Sequence, residues 1–63
     1  MEKLIEISTG DLVLVKDVMI DIDGTNLEEG VDVYFDDEYM GYIIGETADS
    51  VTAETLEAHF DFF

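Results

Sequence analysis

The chain contains no cysteine and no proline, and only two of its 63 residues are cationic. Without cysteine there is no disulfide and no thiolate metal site, and nothing points to an oxidising compartment. Without proline there is no sequence cue for a cis turn or a rigid linker. The segment MEKLIEISTG holds no long apolar run, so neither a signal peptide nor a membrane span is expected, and the expected setting is cytoplasmic. At 63 residues the chain is one domain at most, residues 1–63, and it shows no low-complexity stretch or internal repeat. A domain of this size buries only about 60% of the surface its unfolded chain exposes, so its core has little redundancy.

What is abundant is negative charge. Seventeen acids face two lysines, for a formal net charge of −15. Such acidity often goes with disorder. Here 48% hydrophobic and 11% aromatic content favour a folded acidic domain. A globule of this length has a diameter of roughly 27 Å. Fifteen net charges across it would fall about one per 1.8 Å, against about one per 1.7 Å of axis for duplex DNA. So many like charges on one body repel each other, and salt should raise the melting temperature by screening them.

The stretch Val31 to Ile44, VDVYFDDEYMGYII, organises the architecture. Val31, Val33 and Phe35 alternate with Asp32, Tyr34 and Asp36, as in a half-buried strand. A two-residue turn at Asp36-Asp37 needs φ > 0 at both positions, which Asp tolerates better than most residues. That turn pairs Phe35 with Glu38, Val33 with Met40 and Val31 with Tyr42. Gly41 signals a bulge or a close approach by another group. Upstream, residues 2–7 and 12–23 read as strands joined by a turn at Thr9-Gly10, which pairs Ile7 with Leu12 and Ile5 with Leu14. Residues 24–30 read as a connection. Thr52 is a fair N-cap, Val51 and Leu56 fit a hydrophobic staple, and Ala53, Leu56, Phe60 and Phe63 share one side of a short helix over 53–61.

The expected fold class is therefore α+β: a small four-stranded antiparallel β-meander with one C-terminal helix packed on one face. The helix should cover Ile5, Ile7, Leu12, Leu14, Val18, Ile20, Ile22, Val33, Phe35, Met40 and Tyr42. The outer face should carry Asp17, Met19, Asp21, Asp23, Asp32, Tyr34, Asp36 and Tyr39. Neighbouring carboxylates on one strand would then stand roughly 6.8 Å apart.

The MIDIDGT stretch, residues 19–25, carries two motif resemblances. It resembles the DxDGT signature of haloacid-dehalogenase-type phosphatases. That resemblance implies Asp21 as nucleophile and Asp23 as general acid/base, at the end of a buried parallel strand. The rest of the chain departs from the family: no later lysine motif, no distal acidic pair for magnesium, and no room for a Rossmann-type core. The stretch also resembles an EF-hand loop, with Asp21, Asp23 and Gly24 at its third, fifth and sixth positions. Met19 and Gly30 fall where that family needs Asp and a bidentate Glu. His59, the sole histidine, has no partners for triad or zinc chemistry. No catalytic residue, metal site or cofactor is expected.

The functional expectation thus rests on charge. It is a non-enzymatic binding protein that mimics nucleic acid and occupies the basic groove of a nucleic-acid-binding protein or nuclease, without itself binding nucleic acid or membrane. Small phage-encoded inhibitors of restriction or CRISPR nucleases resemble it in type. The candidate contact residues are Asp17, Asp21, Asp23, Asp32, Tyr34, Asp36, Asp37, Glu38 and Tyr39, with Met19 adding apolar grip. The alternative is a protein–protein adaptor or regulatory subunit, whose binding would depend on Met19, Tyr34 and Tyr39 and on exposed sheet edges.

Overall fold

The computed structural model describes residues 1–62. Phe63, placed by spacing on the helix's apolar side, lies outside the described residues. Four strands, β1 (Glu2–Glu6), β2 (Leu12–Asp21), β3 (Leu27–Phe35) and β4 (Glu38–Ile44), are followed by one helix, α1 (Ala53–His59). The strands form a single sheet in the order β1-β2-β3-β4, each pair antiparallel. This is the expected meander with a C-terminal helix.

The β3–β4 hairpin forms at the expected turn. Asp36 and Asp37 take φ of 55° and 63°, the left-handed pair that a tight hairpin turn requires. Phe35 faces Glu38 and Tyr34 faces Tyr39. The register then slips by one residue at Met40, so Val33 faces Gly41 and Val31 faces Ile43, rather than Met40 and Tyr42. This is the bulge that Gly41 signalled, and Gly41 adopts φ of 145°. Phe60 lies over that glycine, where an added Cβ would come within 2.9 Å of its ring.

The β1–β2 connection departs from expectation. Residues 7–11 form the loop, closed by the Ile7 N–H donating to the Asp11 carbonyl at 3.0 Å and the Gly10 N–H donating to the Ile7 carbonyl at 2.9 Å. Ile5 therefore faces Val13 and Glu6 faces Leu12. Because side chains alternate with period two, this one-residue shift turns β2 over relative to the expected register. Leu27 to Gly30, expected as a connection, extends β3 instead, pairing Asp21 with Leu27 and Val18 with Gly30.

Among the described residues, the fully buried core is aliphatic: Ile7, Val13, Val15, Val31, Val33, Ile43, Ala48, Val51 and Leu56, with Phe35, Phe60 and Phe62 packed against it. Thr52 caps α1 by accepting the Thr55 N–H at 3.2 Å. Val51 and Leu56, the staple pair, are both buried. The helix ends at His59, with Phe60 as its C-cap, earlier than the expected 61. Beyond it, Phe62 packs edge-on against Phe35 at 5.2 Å between ring centroids. Ser8 donates a hydrogen bond to Glu57, tying the β1–β2 loop to the helix.

Candidate functional site

The sheet has one covered face and one open face. Val13, Val15, Val31, Val33 and Ile43 point toward α1 and the segment before it. Their neighbours along each strand point the other way, where no element of the described residues lies. Three rows cross this open face. Leu4, Leu14, Tyr34 and Tyr39 form the first, spanning all four strands. Glu2, Lys16, Asp32 and Tyr42 form the second, and Val18, Gly30 and Ile44 the third.

These rows overturn the expected face assignment. Leu12, expected in the core, is 55% exposed, and Tyr42, likewise expected inside, is 53% exposed. Leu14, Val18 and Ile20 are half-buried on the open side, and Ile22 is exposed near the far end. Conversely, Asp17, Met19 and Asp21 fall on the helix side, with Val13 and Val15. The expected single row of carboxylates therefore does not exist. The longer β1–β2 loop flips β2, while β3 keeps Asp32 and Tyr34 on the open face.

The nine candidate contact residues divide among four places. Asp17 acts structurally: its Oδ1 accepts the Ala48 N–H at 2.7 Å, and its Oδ2 lies 3.4 Å from the Met1 amino group. It fastens the segment before α1 to the sheet. Asp21 and Asp23 belong to the β2–β3 connection. Asp21 accepts the Gly24 N–H at 2.7 Å. Asp23 accepts from the Thr25 and Asn26 N–H groups at 3.0 and 2.9 Å, and from both of their side chains. These bonds, led by the Thr25 N–H, lower the Asp23 carboxyl to about 2. The strand that ends at Asp21 is antiparallel, unlike the buried parallel strand that the phosphatase resemblance implies. Asp36, Asp37 and Glu38 form the β3–β4 turn at the opposite end of the sheet. Among the described residues, no group of three His, Asp or Glu could hold a metal ion.

Asp32, Tyr34 and Tyr39 do come together, on the open face. The Tyr39 hydroxyl donates to Asp32 Oδ1 at 3.2 Å. Desolvation first, then the charge of Asp32, pushes that hydroxyl above its ordinary range. Tyr34 meets Tyr39 edge-to-face at 5.4 Å. Lys16 Nζ sits 5.1 Å from the centre of the Tyr34 ring and 3.8 Å from Glu2 Oε2. Leu4, Leu12, Leu14, Lys16, Tyr34, Asp36 and Asp37 line an open hollow of about 410 Å³ at the turn end of this face.

The negative charge is spread more widely than the sequence suggested. The longest dimension is 38 Å, against 20 Å in the other two directions, so the net charge of −15 falls about one per 2.5 Å along it. Acids occupy both ends, the open face and α1. Among the described residues, no helix is long and apolar enough to cross a membrane.

Comparison with known protein families, with curated proteins and with solved structures finds no match to this chain.

Proposed function

We propose that this protein is a non-enzymatic acidic decoy: it occupies the basic groove of a nucleic-acid-binding protein or nuclease in the cytoplasm and keeps nucleic acid out. The observation that carries the proposal is the charge. Seventeen acids and two lysines are set on a folded body 38 Å long and 20 Å across. A rod of that size and sign enters a groove built for phosphates and raises its association rate by electrostatic attraction. The acids at both ends of the sheet and on the open face between them suit an elongated groove. Inhibitors of restriction or CRISPR nucleases are the functional type to which such a decoy belongs.

A second reading, an adaptor or regulatory subunit, draws on a different observation: the open face exposes Leu4, Leu12, Tyr39, Tyr42 and Ile44. Apolar side chains grouped on one exposed face favour protein contact over solvation alone.

The test begins with capture of the partner from a lysate of the source cells on immobilised protein, followed by elution in salt steps. The partner's binding to labelled DNA or RNA is then measured as the acidic protein is added. A decoy displaces the nucleic acid stoichiometrically at low salt and releases it as salt rises. A captured partner that keeps its nucleic acid at saturating acidic protein refutes the decoy and leaves the adaptor.

A further inference from the structure

On β2, the residues that face away from the helix are Leu12, Leu14, Lys16, Val18 and Ile20. Four of the five are aliphatic, and they run the length of the strand. This is the pattern of a core face, yet among the described residues nothing covers it. The rest of the face supplies carboxylates and tyrosines: Glu2, Glu28 and Asp32, with Tyr34, Tyr39 and Tyr42. It therefore has the anatomy of an interface, with an apolar lane interrupted by Lys16 and an acidic surround.

The face also shows how it treats a cation. The Lys16 ammonium is held between the Tyr34 ring and the Glu2 carboxylate. Beside it, Asp32 faces Tyr42 across the β3–β4 ladder and accepts the Tyr39 hydroxyl at 3.2 Å, so a carboxylate again stands among tyrosines one strand over. We propose that the open face is the docking surface for an arginine-bearing basic segment of the partner, its apolar side chains along the β2 lane and its guanidinium groups against Asp32, Tyr39 and Tyr42. This rests on the acidic-decoy reading and names the surface that performs it.

Charge complementarity selects this occupant. A second copy would bring another net charge of −15, and its own Glu2, Glu28 and Asp32, against the same rim. A bilayer surface is anionic and is repelled in the same way. Arginine suits the site better than lysine, because its planar fork both stacks on a ring and pairs bidentately with a carboxylate.

The experiment is a titration of the intact, isotope-labelled protein, followed by NMR, with a synthetic peptide of alternating arginine and leucine and with its lysine counterpart. The expected result is a set of shifts concentrated on Leu4, Leu14, Tyr34, Tyr39, Tyr42 and Ile44, with the lysine peptide several-fold weaker. Leu12→Ser and Tyr42→Ser should each weaken the arginine peptide by about tenfold while leaving the fold intact by circular dichroism. Asp49→Asn and Glu54→Gln, away from the face, should change affinity less than about twofold. The proposal is overturned if shifts track every acid equally, if the face variants bind like the parent, or if the peptide fails to bind at 50 mM salt. Self-association of the protein alone in sedimentation, abolished by Tyr42→Ser, would overturn it in favour of a second copy. None of these results depends on whether a captured partner loses its nucleic acid, so the docking surface and the decoy fail separately.

Discussion

On one side of the sheet, Val13, Val15, Val31 and Val33 are completely shielded from solvent; on the other, Leu4, Leu12 and Tyr42 are more than half exposed. The two faces differ less in the residues they offer than in what reaches them. β2 spans ten residues, about 33 Å of extended chain, whereas α1 has seven, about 10 Å of helix. The helix and the segment before it seal one side of the sheet as far as Asp17, where the Ala48 N–H is held. Beyond that point even the helix side opens, and Met19 and Leu27 are exposed. In so small a domain, apolar patterning and burial are separate facts.

The largest test of this contrast removes the α1 side chain that seals the covered face. Leu56 is fully buried and is the largest of the completely shielded side chains. Leu56→Ala should cost about 2–5 kcal/mol through lost burial and the cavity left behind. A core in a domain this small rarely supplies more than about 3–5 kcal/mol, so the variant should be largely unfolded at 37 °C. Leu12→Ala, the same change on the open face, should cost less than about 1 kcal/mol. Chemical denaturation of both variants checks the pair, and equal losses would mean that the open face is covered in solution.

The two faces meet at Gly30, which lies opposite Val18 and Ile44 in the third open-face row. A Cβ there would lie 2.6 Å from Ile20 Cδ1 and 2.6 Å from the Ile43 carbonyl oxygen. The Ile20 methyl can swing toward solvent, but the Ile43 carbonyl belongs to the β4 ladder and cannot. Gly30→Ala should therefore destabilise by about 1–3 kcal/mol, with faster amide exchange along Ile43 and Ile44. A melting temperature equal to the parent's would show that β4 yields more easily than this geometry implies.

The legibility of the fold in the sequence follows the same division between local and long-range determinants. The Asp36-Asp37 turn and the Thr52 cap could be located because each depends on residues within one turn of chain. The face of β2 could not. LVLV carries apolar residues on both sides, so periodicity is silent there, and the decision falls to the length of the β1–β2 loop. Thr9-Gly10 offers a two-residue turn, but the chain closes its loop through Ile7 and Asp11. One residue of loop moved Leu12 and Leu14 out of the core and Asp17 toward the helix. Of the candidate site, the Asp32, Tyr34 and Tyr39 group is as expected because the Asp36-Asp37 turn fixes the Tyr34–Tyr39 pairing before the register slips. The apolar lane beside it was hidden by the ordinary rule that apolar residues go inside.

The smallest effect concerns the end of the sheet, where neither face is covered. Asp23 holds the β2–β3 connection through four hydrogen bonds from Thr25 and Asn26. Its carboxyl is lowered from 3.8 to about 2 in the folded protein. A carboxylate that is more acidic when folded stabilises the fold above its unfolded value and loses that contribution as pH falls through the folded one. The stabilisation should therefore be complete above about pH 4 and fade between about pH 4 and pH 2. Asp23→Ala should melt below the parent at pH 7, by a margin smaller than that of Gly30→Ala, and the two curves should converge by about pH 2. A margin that stayed constant with pH would show that ionisation of the Asp23 carboxyl does not carry the loop's stability. The proposed docking face would be untouched, because Asp23 lies in the end loop, outside the rows that compose it.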